Sequence, residues 1–365
     1  MIDRYDVAIA GGGPAGSALA GRLAAAGRSV VLIESSRYHQ DRIGESLAPA
    51  VAPLLRELGV WREFLALDPL PSWGTRSRWG GAVVESHSHL LNPYQHGWHV
   101  DRRALDEMLA AAATHRGAEV RRGQSVRSVT RESGAWSVQV GGADRLRAQV
   151  IVDATGRRSL LARRLGARRL VFDRLVGVGL RWRDLPTAQQ YVLVEACDAG
   201  WWYSAPVPHG GLITMLMTDA DICRSARLRD ETRWLAALRG TRSTAGRVAA
   251  GGRCAAVRVE PATSIRTRRA DALPWLAVGD AALAVDPVTG SGVVRALRTA
   301  TAAADTIGKL LDSPPSEHAG ILRRYESARD NECDEYLHTR RGYYGAVTDH
   351  DTAFWQRRRG LAVRG

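Results

Sequence analysis

Asp6-Val7-Ala8-Ile9-Ala10-Gly11-Gly12-Gly13-Pro14-Ala15-Gly16, followed by Val30-Val31-Leu32-Ile33-Glu34, reads as strand, glycine turn, helix, strand and acid. Gly11 permits the tight turn, Gly13 lets the backbone approach a pyrophosphate, and Gly16 lets helix and strand pack closely. The start of the helix offers free amides and the positive end of a dipole to an anion. Glu34 closes the second strand, where a carboxylate can accept hydrogen bonds from ribose hydroxyls. A glycine-rich turn alone is weak, because such turns occur in other α/β domains. Its place between a strand and an Ala-rich helix, with the acid at the right distance, predicts a dinucleotide site.

The 365 residues suffice for a large core and for two lobes sharing one cleft, and 45% hydrophobic content is that of a globular protein. No run approaches the ~20 apolar residues of a membrane span, and the first strand begins almost at once, so neither a membrane partner nor a signal peptide is expected. The expected location is cytoplasmic. Cys197, Cys223, Cys254 and Cys333 are widely spaced, without a CxxC pair, and read as reduced, mostly buried thiols. The net charge of +13 comes from arginines scattered along the chain, with Lys309 the only lysine. That dispersal gives no nucleic-acid footprint, although a basic face could attract an acidic partner.

Beyond the first βαβ unit, residues 49–67 carry Val51, Leu54, Leu55 and Leu58 at helical spacing and predict one helix. Residues 73–98 read as strands, 101–113 as a helix with an acidic start, and 119–129 and 135–140 as strands of an antiparallel meander. Val150-Ile151-Val152 is a short apolar strand of a sheet covered on both faces. Residues 168–266 read as alternating strands, and 275–278 returns to a buried strand. The expected division is a discontinuous cofactor domain (1–72, 99–167 and 268–312), a substrate-binding domain (73–98 and 168–267) and a C-terminal helical segment (313–365). Ser313-Pro314-Pro315-Ser316 marks the break before that segment.

Gly279-Asp280-Ala281 and then Asp286-Pro287-Val288-Thr289-Gly290-Ser291-Gly292 follow the strand at 275–278 and open a helix. An Asp at a strand end can accept hydrogen bonds from a polyol, and glycines at a helix start present amides to an anionic ring edge. A reduced flavin carries such charge, and the helix start would stabilise it. Val100-Asp101-Arg102 and Val150-Ile151-Val152-Asp153-Ala154-Thr155-Gly156 are two further signals.

Together, in this order, these motifs resemble the FAD-dependent monooxygenases and halogenases of the p-hydroxybenzoate hydroxylase fold. The resemblance implies an α/β architecture: a Rossmann-like FAD-binding domain of the GR2 type, an inserted mixed or antiparallel β-sheet substrate domain, and C-terminal helices. It implies that Gly11, Gly13, Pro14, Ala15 and Gly16 hold the pyrophosphate, Glu34 and Ser35 the adenosine ribose, and Val126 the adenine. Arg42, Ser46 and Arg102 would line the outer FAD surface, Asp280 the ribityl chain, and Pro287, Gly290, Ser291, Gly292 and Val293 the isoalloxazine. Single-component aromatic hydroxylases of this fold carry an Asp-Gly pair where this chain has Ala154-Thr155-Gly156. That departure implies indirect use of NAD(P)H, with reduced FAD supplied by a separate reductase and O2 as co-substrate.

Two motifs narrow the resemblance. Ile43-Gly44-Glu45-Ser46 is similar to a loop of the halogenases, and Gly200-Trp201-Trp202-Tyr203-Ser204-Ala205-Pro206 to their GWxWxIP signature. Trp201, Trp202 and Tyr203 would wall a dry compartment for an aromatic substrate, or else be core residues of the second sheet. Glu45 is the acid expected beside the flavin; a capping glutamate at the surface is the alternative. Pro287 and Ser291 complete the candidate catalytic set. Tryptophan halogenases use a lysine that presents the oxidised halogen, and Trp73-Gly74-Thr75-Arg76-Ser77-Arg78-Trp79, the corresponding segment here, has none. Arginine is held protonated and is no substitute, although Ser291-Gly292 amides could still hold a halide.

The resemblance extends to flavoprotein monooxygenases that modify tryptophan in quinone-cofactor maturation. It implies hydroxylation of an indole, free or within a peptide or protein, through a flavin C4a-hydroperoxide. The open alternatives are a halogenase without the lysine, a reductase like the geranylgeranyl reductases, and a non-catalytic maturation chaperone. His87, His89, His96 and His99 suit alternating strand faces better than a metal site, so no metal is expected. No pair of residues is spaced as a relay for activating a phenol.

Overall fold

The computed structural model describes residues 2–360, apart from 82, 143, 186–188, 249–251, 254–255 and 272. Cys254 therefore lies outside the described residues; Cys223 and Cys333 are buried, Cys197 is half-buried, and all three are free thiols. The chain has a mixed α/β fold. Its first sheet runs in the order Glu119–Arg122, Val30–Glu34, Asp3–Ala10, Asp144–Asp153, Ala135–Val140 and Val126–Glu132, with Trp275–Ala277 beside the end of Asp144–Asp153. Parallel pairing joins the strands that end at Ala10, Glu34, Asp153 and Ala277, so their carboxyl ends, which carry the glycine motifs, open on one edge.

Side chains along these strands alternate between two cores. Val7, Ile9, Leu32, Val150 and Val152 pack under the helices Pro14–Ala25, Arg102–His115 and Gly292–Asp312. Ala8, Val31, Ile33 and Ile151 face the opposite way, toward Trp136 and Trp275. A sheet buried on both faces needs such continuous apolar strands. Asp101 starts Arg102–His115 by accepting from Arg103 N and Ala104 N at 2.8 and 3.3 Å.

The second sheet is mostly antiparallel. Leu175–Arg183, Gly211–Asp219, Gly200–Val207 and Val192–Cys197 follow one another across it, and Gly74–Arg78 adds in parallel to Val192–Cys197. One face packs Trp202, Leu216 and Trp182 against the helix Glu231–Arg239, through Trp234. The other packs Trp201, Met215 and Met217 against Tyr344, Phe354 and Trp355 of the two C-terminal helices, Pro315–Gly345 and Ala353–Arg359. The 31-residue helix Pro315–Gly345 spans about 46 Å. It touches the helix-covered core of the first sheet through Ile321, Leu322 and Tyr325, and the core of the second sheet through Tyr344.

Three expectations need correction. Residues 49–67 form two helices, Val51–Glu57 and Trp61–Leu65, because Gly59 breaks the run with a φ of +61°. Residues 119–129 are two strands, of which Glu119–Arg122 lies parallel to Val30–Glu34 at the sheet edge before Gly123 turns the chain at φ +73°. Region 168–266 also contains the helices Ala220–Ser225 and Glu231–Arg239, and Arg168–Val171 leaves the second sheet to pair with Ile265–Arg268. No helix of the described residues is long and apolar enough to cross a membrane.

The last helix is fastened by charge. Arg358 and Asp219 are buried together, with Arg358 Nη2 2.8 Å from Asp219 Oδ1, and Arg357 adds a second contact at 2.8 Å to Oδ2. Removing one member strands a buried charge, at a cost of about 3–5 kcal/mol. Asp219→Ala is expected to lower chemical-denaturation stability by that amount and to open 353–359 to limited proteolysis, whereas exposed Asp351→Ala leaves both nearly unchanged.

Candidate active site

Three segments converge at the glycine turn. Gly11 holds φ at +107°, and a Cβ there would overlap the Ala154 carbonyl oxygen; a Cβ on Gly16 would overlap the Gly11 carbonyl. The first strand, the first helix and the Ala154-Thr155 turn are therefore in backbone contact. Gly13 differs, because a Cβ there meets nothing within 4 Å. It caps the helix Pro14–Ala25 without a side-chain acceptor, and no acid occupies the first turn. The amides of that turn are left for an anion.

Glu34 is buried at the adjoining strand end. Its Oε2 accepts from Gly12 N at 2.6 Å and its Oε1 from Ser36 N at 2.7 Å, while Tyr38 Oη donates to the Gly12 carbonyl at 2.8 Å. Arg42 bridges Asp106 at 2.8 Å and Glu34 at 3.7 Å. Arg102 pairs with the same Asp106 at 3.1 Å and donates to the Gly44 carbonyl at 3.2 Å. Asp106, given no role by the sequence, is thus the buried carboxylate that ties both arginines and the Gly44 loop together. Ser35 is exposed beside Glu34. Val126 begins its strand two residues after Gln124, whose N–H donates to the Glu34 carbonyl at 3.0 Å.

The second glycine motif packs on the first. A Cβ on Gly279 would stand 2.8 Å from Ala15 Cβ, which brings the Asp280 turn against the start of the first helix. Asp280 is one-third exposed and pairs with Arg157 at 3.3 Å. Asp286 starts the 3-10 turn Pro287–Thr289 and accepts from Val288 N at 3.0 Å. Pro287, Gly290 and Gly292 are exposed, Val293 is half-buried, and Ser291 Oγ lies 2.8 Å from Thr289 Oγ1. A Cβ on Gly290 or Gly292 would meet nothing within 4 Å, and the helix Gly292–Asp312 has no side-chain cap. Two uncapped helix starts with open glycine faces suit a ligand that is anionic at both ends.

The third part of the site joins the lobes. Glu45 is buried, not a surface cap, and its Oε2 accepts from Gly44 N at 3.0 Å. Tyr203 Oη donates to Ser46 Oγ at 2.9 Å, and Ser46 Oγ stands 3.0 Å from His99 Nδ1. Burial pushes the Glu45 carboxyl above the usual carboxylate range, with Tyr203, Gly44 and Arg102 opposing it. Burial, with Arg247 and His89 adding, pushes the His99 imidazole down to about 3. Arg247 is held by the Ser204 carbonyl and hydroxyl at 2.9 Å, and burial lowers its guanidinium to about 10.

Trp201 and Tyr203 project from one face of their strand, Trp201 with its Nε1 3.0 Å from Tyr344 Oη. Trp202 projects from the other face, with its ring 5.2 Å from that of Trp234. The expectation that all three wall one compartment is corrected for Trp202, since adjacent strand residues face opposite ways, and for Trp201, which is fully buried among Trp79, Tyr344, Phe354 and Trp355 as a core residue of the second sheet. His99 and Arg247 were missed because they come from separate elements, and His99 was indistinguishable from its neighbours. Of those, His87 is exposed, His89 Nδ1 meets the Ser72 carbonyl at 3.1 Å, and His96 packs on Trp73 and Trp98. Among the described residues no group of three His, Cys, Asp or Glu could hold a metal ion.

The FAD binding domain family matches residues 4–335, and the chain belongs to that family. It is an FAD-dependent oxidoreductase. It is 30% identical over 372 residues to LodB of Marinomonas mediterranea, which carries the name FAD-dependent oxidoreductase, with 99% of each chain covered. Its fold matches the myxobacterial chondrochloren halogenase CndH with a TM-score of 0.88, at 24% identity over 99% of this chain and 87% of that one. It also matches the peptidyl tryptophan dihydroxylase QhpG, essential for tryptophylquinone cofactor biogenesis, with a TM-score of 0.75 at 24% identity over 99% and 80%.

Two expectations follow from the geometry. Gly16→Ala is expected to destabilise the fold itself, whereas Gly13→Ala leaves the thermal midpoint of the FAD-free protein near wild type and weakens FAD binding, read by calorimetry and flavin absorbance. His99 has a folded pKa below its unfolded value of about 6.5, so its contribution to stability is intact above that value and is lost as pH falls toward about 3. Relative to His99→Gln, the wild type is expected to lose up to about 1.4 kcal/mol per pH unit below about pH 6.5 in denaturant titrations.

Proposed function

We propose that the chain is a monooxygenase that hydroxylates an indole-bearing substrate, a small aromatic molecule or a tryptophan within a peptide or protein, using reduced FAD delivered by a separate reductase. The single observation that carries this reading is the location of Lys309. It lies 17 residues beyond Gly292 in the helix Gly292–Asp312, about 25 Å from the helix start. The lysine route of tryptophan halogenation needs an amine near the substrate ring, and the segment 74–78 offers arginines only.

In this reading the amides from Gly11 to Gly16, with Pro14 and Ala15 at the helix start, bind the pyrophosphate. Glu34 and Ser35 take the ribose and Val126 the adenine. Arg42 and Arg102, clasped by Asp106, brace the loop that carries Gly44, Glu45 and Ser46. Asp280 takes the ribityl chain. Pro287, Gly290, Ser291, Gly292 and Val293 form the surface against the ring system, with helix-start amides facing its anionic edge. When bound, reduced FAD supplies the activation of dioxygen. Tyr203 orients the substrate ring, and Glu45 is the acid at its side. The tryptophan-directed relative QhpG supports the substrate class; the likeness to CndH favours halogenation as the second reading.

The test supplies reduced FAD, dioxygen and tryptophan-containing peptides, with and without chloride or bromide, and reads product mass. A gain of one or two oxygen atoms independent of halide is expected. Halogen incorporation overturns the reading, as does product formed without dioxygen.

A further inference from the structure

The face of the second sheet opposite Tyr203 gathers positive charge without a counter-ion. Arg76 pairs in register with Leu193, and Leu193 with Ser204, so these three share the face that Tyr203 does not. There the guanidinium carbons of Arg76 and Arg247 lie 4.1 and 4.8 Å from the centre of the Tyr191 ring. Arg76 Nη1 also donates to Tyr191 Oη at 3.1 Å. Arg247 gives its Nη1 protons to Ser204 and its Nη2 protons to the Gln189 and Tyr191 carbonyls, both at 3.2 Å. Among the described residues neither arginine is in an ion pair.

Carbonyl dipoles fix Arg247 in place but bring no full negative charge, and two like charges around one ring repel. With all four Nη protons committed, Arg247 contributes its field, while the exposed Arg76 keeps Nη2 and Nε for a partner. Beside the arginines the surface is apolar. Trp73 is 53% exposed, with its Nε1 3.0 Å from Gln190 Oε1. The loop from His89 to His96 is fastened to it at both ends, by His89 N donating to the Trp73 carbonyl at 2.8 Å and by the His96 ring 4.9 Å from the indole. That loop exposes Leu90 and Leu91 at 80% and 96%. Trp, Tyr and Arg are the side chains that dominate protein-binding surfaces, and adjacent exposed leucines mark the same use.

A phosphate or a nucleic acid would neutralise the arginines and leave the leucines in water. A polypeptide segment with carboxylates and aliphatic side chains satisfies both, and the net charge of +13 favours its encounter. We propose that Trp73, Arg76, Tyr191 and Arg247, with Leu90 and Leu91 at the rim, dock an acidic segment of the polypeptide that carries the target tryptophan. The identity of that target rests on the monooxygenase reading. The surface adjoins the candidate site. Leu70, three residues before Trp73 and so about 10 Å away along extended chain, pairs with His99, which meets Ser46 and through it Tyr203. Docking on the outer face holds the substrate polypeptide and leaves the compartment beside Tyr203 to the indole.

The test measures fluorescence anisotropy of a fluorescein-labelled peptide carrying one tryptophan, several glutamates and leucines, with the FAD-loaded protein in its oxidised state. A second peptide has glutamine at every glutamate. The acidic peptide is expected to bind at least about tenfold more tightly at low salt, and the preference to shrink in about 0.3 M salt. Arg76→Glu is expected to abolish the preference, and Leu91→Asp to weaken both peptides about tenfold, each with a thermal midpoint near wild type because both side chains are exposed. Equal affinity for the two peptides, or wild-type binding by Arg76→Glu, overturns the docking surface. Displacement of the peptide by inorganic phosphate or single-stranded DNA at the peptide's own concentration overturns it too. In turnover, Arg76→Glu is expected to raise KM for the acidic peptide about tenfold with kcat within about twofold, and to leave KM for free tryptophan unchanged. A wild type that prefers the acidic peptide but adds no oxygen to it defeats the function reading and leaves the docking surface standing. Oxygenated product with no acidic preference does the reverse.

Discussion

The carboxylate of Asp286 ties the Pro287–Thr289 turn to the helix Pro315–Gly345 and, through it, to the second sheet. It is fully buried, and its oxygens are taken by Val288 N at 3.0 Å, Tyr344 Oη at 2.8 Å and Arg340 Nε at 3.3 Å. Its own N–H donates to Tyr336 Oη at 3.0 Å, and Arg340 reaches on to Asp173 at 3.0 Å. Tyr344 in turn accepts from Trp201 Nε1. Burial pushes the Asp286 carboxyl upward and Arg340 opposes it. A buried carboxylate is tolerated only with such a full set of partners, so losing any one loosens all. The Pro287–Thr289 turn, the strand Gly200–Val207 and the helix Pro315–Gly345 therefore hold one mutual arrangement. That arrangement sets how far Tyr203 stands from the surface proposed to face the flavin.

Asp106 does at the other end what Asp286 does at this one. Arg42 and Arg102 converge on it, and through them it holds the strand end at Glu34 and the carbonyl of Gly44. The loop that delivers Glu45 and Ser46 is consequently fixed from the Glu34 side, while Tyr203 meets it from the second sheet. Two buried carboxylates, one per end, thus position a site assembled from many separate stretches of chain. Neither interaction stabilises much on net once desolvation is counted. What both supply is geometry.

The glycine turn and its neighbouring acid were legible because their signals are local. A turn that needs Gly11 and Gly16, an acid at a strand end, and a glycine-rich helix start each lie within a few residues, and backbone sterics demand glycine at Gly11 and Gly16. The parallel place of Glu119–Arg122 and the helices within 220–239 were not legible, since pairing and packing partners lie far away in sequence. Trp202 was a misreading of a legible pattern: period-two alternation allows only Trp201 and Tyr203 to share a face. His99, Arg247, Glu45 and Tyr203 meet only through tertiary structure. No spacing encodes them.

The anion-binding character of the helix start at Gly292 does not distinguish oxygen from halogen transfer, since its amides would serve a halide as readily as a flavin edge. The distinction rests on what receives the oxidised group. With Lys309 at the far end of that helix, no amine is at hand to carry a halogen to the ring. Around Glu45 the site instead offers buried polar groups, with Tyr203, Ser46 and His99 joined by hydrogen bonds. Direct attack on an electron-rich ring needs a dry wall and an acceptor for one ring proton. Tyr203 and the buried Glu45 are candidates for those two roles, and the absence of a lysine near them makes hydroxylation the better reading.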